Sequence, residues 1–586
     1  MFINNDSISG TWQGFERLVC RYLVYRGYEG VRLVGSSGDK GADVIAHKNG
    51  KRWLFQVKRW KTKVGVNEID ETMGALQPYR AEVPAIIAKS GFNSAAYKMQ
   101  RDLMAHKIPL QLWDGQYLIR QSGEHIKEDS RPPEAALQHD PRQYQESAVR
   151  LLLQAFDGVH SNQALIVMAT GLGKTRVVCE FMRRAASLSP VKALVLAHTN
   201  ELVYQLEKAF WNYLQARQET IVWNGYEPHD SADLDRADFV FACVDTVANY
   251  IGNGGVLPEF DAVFVDECHH VGETGMYQRV FESAGAGLLS GAFLIGVTAT
   301  PWRPDDTDLP SIFGAPLVSI DLATGMKKGF LANVDYRMYT TNIDWKKVNR
   351  SAKIKGVRKL SPKRINKTLF VKEWDDGVIK EMQAAWNEQV TPRALVFCGS
   401  VKHAIAMKDR INAAQFCRAE SLFSQGAGGE RMAMYERNRI LSDFHSGEVQ
   451  VVCCVDIFNE GIDVPDVNIV VFQRVTHSRR IFIQQLGRGL RLAPDKEKVI
   501  VLDFVSDVRR LAAGISLQNA LSEPLVDSRG REVHVRFNHR VSFYRYGEVD
   551  PRAESFLREW LRDVSEIEGA GEDATVLNYP PPLNPG

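Results

Sequence analysis

The sequence predicts an α/β protein: a compact N-terminal α/β unit, two parallel-sheet domains and a small C-terminal region. Three observations predict it. From residue 141 to 320, short apolar runs (Ala164–Met168, Ala193–Ala197, Phe239–Ala242, Ala262–Val265 and Phe293–Val297) alternate with helical stretches, the pattern of a parallel sheet covered on both faces. The pattern returns at Ala394–Cys398, Val449–Val455, Asn468–Phe472 and Lys498–Leu502. Near the N-terminus, the β-prone runs Val44–Ala46 and Trp53–Val57 flank Asn49-Gly50, the strongest short hairpin signal.

Size and composition bound the rest. A chain of 586 residues with 45% hydrophobic content is long enough for several cores. Its formal net charge of +1 means that any nucleic-acid surface is a local patch. The eight cysteines show no C-x-x-C spacing, and several lie in apolar runs such as Val451–Val455, as buried thiols do, so neither a zinc site nor a disulfide framework is expected. The N-terminus lacks a basic region followed by an apolar one, and no run approaches the roughly 20 apolar residues of a membrane span. The expectation is a soluble, cytoplasmic protein with no membrane partner.

The N-terminal unit spans 1–122. A helix over Trp12–Tyr25 carries the apolar face Phe15, Leu18, Val19 and Tyr22. If Asn49-Gly50 is a two-residue loop, cross-strand partners have numbers that sum to 99. Asp43 then stands opposite Gln56, with Lys58 two residues farther along the same face. A carboxylate and an amide oxygen so placed can hold Mg²⁺, and the lysine can orient a water or stabilise a pentavalent phosphate. Lys48, Lys51, Arg52, Arg59, Lys61 and Lys63 surround the hairpin as candidate phosphate contacts; Trp53 and Trp60 read as core.

Residues 123–140, with Pro132-Pro133 among polar neighbours, read as a linker. The first sheet domain, 141–320, contains Ala169-Thr170-Gly171-Leu172-Gly173-Lys174-Thr175 and, after an apolar strand, Asp266-Glu267-Cys268-His269. The glycines Gly171 and Gly173 let backbone N–H groups from Thr170 to Lys174 wrap phosphates at a helix N-terminus. Lys174 sets a charge on the outer phosphates, and Thr175 offers a hydroxyl to Mg²⁺. Asp266 would hold that ion through water while Glu267 deprotonates the attacking water. These residues describe an ATP-hydrolysing motor. Residues 321–390 form a more polar connecting segment, whose basic stretch from Lys346 to Lys367 reads either as a solvated connection or as a DNA contact. The second sheet domain is 391–510. The extension 511–586 shows a helix over Pro551–Val564 and a Pro-rich end, with no visible chemistry.

The motif set over roughly 140–505 resembles the superfamily 2 helicases and translocases, in the subgroup of restriction-enzyme motor subunits and XPB-type helicases. The resemblance implies two RecA-like domains. It assigns Arg142-Gln143-Tyr144-Gln145 to adenine recognition through Gln145, and Ala197–Leu202 and Asp245-Thr246 to strand contacts. Thr298-Ala299-Thr300-Pro301 is similar to the segment that couples nucleotide to nucleic acid. In the second domain Asn459–Pro465, with Glu460 and Asp463, resembles the motif that senses nucleotide and strand. Gln484–Arg491 is similar to the arginine-finger motif: Arg488 and Arg491, three apart, share a helix face and would aim at the γ-phosphate. Met168, where many relatives carry alanine or glycine, is a departure.

The N-terminal unit resembles the Mrr-like restriction endonucleases. Asp-x₁₂-Gln-x-Lys matches the PD-(D/E)xK pattern in its glutamine variant, supported by Phe15–Leu18, Gly38–Asp43, Phe55–Trp60, Gly91–Ala96 and Leu112–Gly115. The resemblance implies Mg²⁺-dependent DNA cleavage through Asp43, Gln56 and Lys58, with Glu16 either an additional metal carboxylate or an exposed helix glutamate. Glutamine in place of an acid removes a charge, so affinity for Mg²⁺ should be weaker. The combined expectation is an ATP-dependent DNA translocase carrying a Mg²⁺-dependent endonuclease that acts on double-stranded DNA, in type IV-like restriction or phage defence. The alternatives are a repair helicase-nuclease and a DNA motor whose N-terminal domain only binds DNA.

Overall fold

The computed structural model describes residues 3–4, 8, 11–34, 41–133, 141–157, 162–272, 275–299, 309–340, 358–369, 375–423, 432–455, 467–473, 490, 492, 496, 498–504, 507–522, 525–526, 532–533, 540–545, 548–549, 551–561, 567 and 573–579. Two compact units divide the chain: one comprises 1–167, 173–319 and 433–439, the other 168–172, 320–432 and 440–586.

The first unit begins with the helix α1 (Trp12–Tyr25), whose N-cap Thr11 accepts from the Gly14 N–H. Strands β1 (Glu29–Leu33), β2 (Val44–Lys48), β3 (Lys51–Lys58), β4 (Val83–Ala88) and β5 (Gln111–Asp114) then form a five-stranded sheet in sequence order. Strands β1 to β3 pair antiparallel, and β3 to β5 pair parallel. Asn49 and Gly50 have φ of 54° and 71°, the left-handed pair that a type I′ turn requires. Val44 stands opposite Phe55, so the register follows the rule read from the turn. Helices α2 (Val66–Tyr79), α3 (Ser94–Ala105) and α4 (Gly115–His125) complete the domain. Phe15, Val19, Tyr22 and Leu23 of α1 pack with Val44, Phe55, Ile87 and Trp113 into one core, which continues into Trp211 and Ala216.

Helices α5 (Gln143–Phe156), α6 (Lys174–Leu188) and α7 (Asn200–Trp211) belong to the next layer system. Its strands are β6 (Gln163–Met168), β7 (Ala193–Ala197), β8 (Thr220–Trp223), β9 (Phe239–Cys243), β10 (Ala262–Asp266), β11 (Phe293–Thr298) and β12 (Pro316–Ile320), in the order β12-β6-β11-β10-β7-β9-β8. From β6 to β8 along that order every pairing is parallel. Residues on β7, β9, β10 and β11 are buried throughout, which explains their unbroken apolar runs. The chain leaves β6 on one side of β11 and β10 and returns as β7 on the other, and ligands bind at the C-terminal strand ends beside such a switch.

Parts of 123–140 are fastened to this domain. Ser130 and Glu128 carbonyls accept from the Ala216 and Arg217 N–H groups, and the Arg131 guanidinium donates to the Tyr213 carbonyl and the Ser187 hydroxyl.

The second unit is built on an eight-stranded sheet, in the order Ala419–Leu422, Val451–Cys454, Ala394–Phe397, Ile469–Phe472, Lys498–Phe504, Asn333–Tyr339, Arg540–Arg545 and Glu548–Val549. Asn333–Tyr339 comes from the stretch read as a connecting segment, and Arg540–Arg545 from the C-terminal extension; both join the sheet in parallel. The buried Asp335 and Arg337 are paired instead of solvated. Asp335 meets Arg337 at 2.8 Å and Arg540 at 3.1 Å, and Arg337 also reaches Glu388. Leu577–Tyr579, at the Pro-rich end, pairs antiparallel with Arg358–Leu360. The basic residues at 346–357 lie outside the described residues. No helix among the described residues is long and apolar enough to cross a membrane.

Candidate active sites

The turn from β6 into α6 carries the first site. Gly171 and Gly173 adopt φ of 92° and 81°, conformations that few L-residues tolerate. A Cβ on Gly173 would stand 2.5 Å from Gln145 Nε2, so glycine is also needed for close approach. Gln145 is buried and caps its own helix, its amide oxygen accepting from the Arg142 N–H at 2.9 Å. That capping leaves the amide nitrogen of Gln145 facing the phosphate loop. Lys174 opens α6, and Thr175 follows in its first turn.

At the end of β10, Asp266 is buried, and its Oδ1 has no hydrogen-bond partner among the described residues. The Thr170 hydroxyl is likewise buried without one. Burial pushes the Asp266 carboxyl well above the ordinary carboxylate range, and the adjacent Glu267 adds to the push against the pull of Lys174. An orphaned oxygen on such a carboxyl fits a divalent cation, which would reverse that balance. Glu267 has φ 48° and ψ 50°, a left-handed conformation for a non-glycine residue. The strain turns its carboxylate back so that Oε1 lies 3.7 Å from Lys174 Nζ while Oε2 lies 3.2 Å from His269 Nδ1. His269 Nδ1 is also 2.9 Å from the Thr298 hydroxyl at the end of β11. The imidazole therefore bridges the acidic pair to Thr298. His270 stacks near the His198 ring, with centroids 3.8 Å apart.

The second site lies on the hairpin. The Asp43 N–H donates to the Phe55 carbonyl, and Asp43 Oδ2 accepts from the Val57 N–H at 2.6 Å. The carboxylate is thereby held at the end of β3 beside Gln56. Gln56 is fully buried, its amide nitrogen 3.0 Å from Glu71 Oε2 and its amide oxygen 2.9 Å from the Thr72 hydroxyl. Lys58 Nζ is 3.9 Å from the same Glu71 oxygen and 5.6 Å from the centroid of the Trp60 ring. Glu71, on α2, is a residue that sequence reasoning missed; an exposed helix glutamate gives no signal until the helix is docked. Glu16 is half-buried on α1. Among the described residues no three His, Cys, Asp or Glu side chains gather as a metal cage, and both ends of the Gln56 amide are engaged, so an ion here would draw on backbone or water as well as carboxylate.

The basic residues of the hairpin divide. Strand rise puts Lys51 about 23 Å from Lys58, so Lys48, Lys51 and Arg52 sit at the turn, away from Asp43 and Gln56. Lys48 is committed, donating to the Arg26 carbonyl at 2.7 Å and lying over the Tyr28 ring. Arg59, Lys61 and Lys63 flank Lys58 and are exposed. Trp53 packs against Phe55 as expected, whereas Trp60 departs from the core reading: it is 45% exposed, two residues beyond Lys58 at the end of β3. Glu460, Asp463, Arg488, Arg491, Thr300 and Pro301 lie outside the described residues, as do residues 38–40.

Residues 8–121 match the restriction endonuclease family Mrr_cat, 138–303 match the type III restriction enzyme res subunit, and 377–493 match the helicase conserved C-terminal domain. The type I restriction enzyme EcoAI endonuclease subunit of Escherichia coli is 23% identical over 461 residues, which are 75% of this chain and 53% of that subunit. The DNA 3'-5' translocase XPB2 of Sulfurisphaera tokodaii is 24% identical over 381 residues, 61% of this chain and 80% of that protein. The EcoKI endonuclease subunit of Escherichia coli is 24% identical over 430 residues, 66% of this chain and 36% of that subunit. The chain thus spans about half or less of the two restriction subunits.

Proposed function

We propose, from a chain that joins an Mrr-type restriction-endonuclease domain to the two domains of a helicase related to restriction-enzyme and XPB-type motors, an ATP-driven DNA translocase with a Mg²⁺-dependent endonuclease. The substrate in this reading is double-stranded DNA, and the setting is restriction of foreign or modified DNA in the cytoplasm. Its nuclease is 1–122, and its motor domains are centred on 141–320 and 391–510.

The observation that carries the reading is the wiring of Glu267. One carboxylate oxygen faces Lys174 and the other faces His269, which leans on Thr298. Lys174 would bind the outer phosphates, and the loop N–H groups would orient them. Glu267 would take the proton of the attacking water, and His269 would report the change at that carboxylate to Thr298. Mg²⁺, held by Asp266 and Thr175, would supply charge neutralisation on the phosphates. In the N-terminal domain Lys58 would neutralise the scissile phosphate while Asp43 and its neighbours hold the ion, and Arg59, Lys61 and Lys63 would grip the flanking backbone. Incubation with defined duplexes, with and without ATP and Mg²⁺, scored together for phosphate release and nicking, tests both halves. Phosphate release that ignores DNA removes the motor; intact DNA in every condition removes the nuclease.

A second reading has its own observation. Gln56 is buried with both ends of its amide engaged, as expected of a domain that only binds DNA and tethers the motor. DNA affinity without any response to divalent metal would favour it. Preference for forked or damaged duplexes over phage and methylated DNA would instead favour a repair role.

A further inference from the structure

We infer that Glu71 is the second carboxylate of the N-terminal centre, presented by Gln56 so that it shares a divalent ion with Asp43. The inference rests on reading this domain as a metal-dependent nuclease.

The orientation of Gln56 decides the argument. A carboxylate only accepts hydrogen bonds, so the end of the amide 3.0 Å from Glu71 Oε2 is the nitrogen. The amide oxygen then points at the Thr72 hydroxyl, in the fully buried part of the site. That oxygen is turned away from the group that solvent and DNA can reach. Gln56 acts as a positioning residue, donating to Glu71 and locking it beside Lys58. Glu71 itself is open: its side chain is 56% exposed, and one oxygen lies 3.9 Å from Lys58 Nζ.

Backbone geometry agrees independently. Gly41 has φ of 89°, and a Cβ there would stand 2.9 Å from both Gln56 Nε2 and the Glu71 carbonyl carbon. The segment leading into Asp43 is therefore laid directly on the turn of α2 that bears Glu71. Charge gives the reason for the arrangement. Asp43 alone offers one negative charge, and a divalent ion is held more tightly as carboxylates are added. Glu71 restores the second charge from α2 instead of from β3.

Nucleotide-free, full-length protein titrated with Mn²⁺ by calorimetry tests this, with Asp43→Asn identifying the signal of the N-terminal site. Glu71→Gln is expected to weaken Mn²⁺ at that site at least tenfold. Gln56→Met is expected to weaken it severalfold in the native background and to add nothing in the Glu71→Gln background, which a merely structural glutamine would not do. Unchanged Mn²⁺ affinity in Glu71→Gln, or no Asp43-dependent binding at all, overturns the inference. Nicking of duplex DNA is scored separately, since a protein that binds Mn²⁺ through Glu71 yet never nicks DNA refutes only the nuclease reading.

Discussion

Arg17 on α1 and Glu207 on α7 meet at 2.7 Å with both side chains buried, and the same guanidinium reaches Glu227 at 2.5 Å. Burial opposes the arginine's charge, but the two carboxylates hold it protonated. Around this triad Tyr25 donates to the Leu214 carbonyl and Arg21 to the Gln215 and Gln218 carbonyls. Helix α1 is therefore fastened to the first parallel-sheet domain along its polar face and to the N-terminal sheet along its apolar one.

Replacing Arg17 by Met should destabilise the first unit by about 3 kcal/mol, because two buried carboxylates lose their counter-charge. Arg17→Lys should recover only part, since a point charge cannot serve both acids as a fork does. Urea unfolding followed by tryptophan fluorescence reads the difference; a midpoint equal to that of the unaltered protein refutes the triad's importance.

Glu267→Gln should cut ATP turnover by roughly 10²- to 10⁴-fold, the range of a positioned general base, while nucleotide still binds. Lys174→Ala should lose binding as well. A fluorescent ATP analogue and phosphate release separate the two variants, and equal binding defects would show that Glu267 merely organises the loop.

Gly41→Ala should cost roughly 2 kcal/mol or more through its positive φ, with a further penalty where Cβ meets Glu71 and Gln56. DNA nicking should fall sharply while ATP turnover persists. Native nicking in a folded Gly41→Ala protein would mean that the Asp43 segment is not held by α2.

Acid should weaken the second unit through Asp335. Burial alone would raise this carboxyl, but the Arg337 and Arg540 guanidinium groups outweigh it and hold the group below the ordinary aspartate range. The sign follows: the contribution is complete above the unfolded value and disappears as pH falls through the lower folded value. Asp335→Asn should lower stability near pH 7 by about 2 kcal/mol and flatten the acid limb below the unfolded carboxyl value. Denaturant midpoints across that range measure it.

The sequence revealed what periodicity and turn chemistry encode. Buried parallel strands announce themselves as unbroken apolar runs, and Asn49-Gly50 set the register that places Asp43 beside Gln56. Asn333–Tyr339 was hidden because two of its buried positions, Asp335 and Arg337, are polar residues satisfied by partners from distant segments. Arg17 and Arg21 were hidden for the same reason. On a helix wheel they belong to water, and only the docked Glu207, Glu227 and main-chain acceptors show otherwise. The role of Gln145 as its own helix cap was legible from its third position in the helix, but the adenine motif competes for the same residue.

Trp211 and Ala216 complete the hydrophobic interior of the N-terminal domain although they lie beyond the strand that follows the phosphate loop. A gene fragment ending near residue 122 would expose that interior, and a chain lacking the first 122 residues would expose the Trp211 indole. Any exchange of the N-terminal domain must therefore carry the end of α7 along with it, so the self-contained unit is larger than residues 1–122.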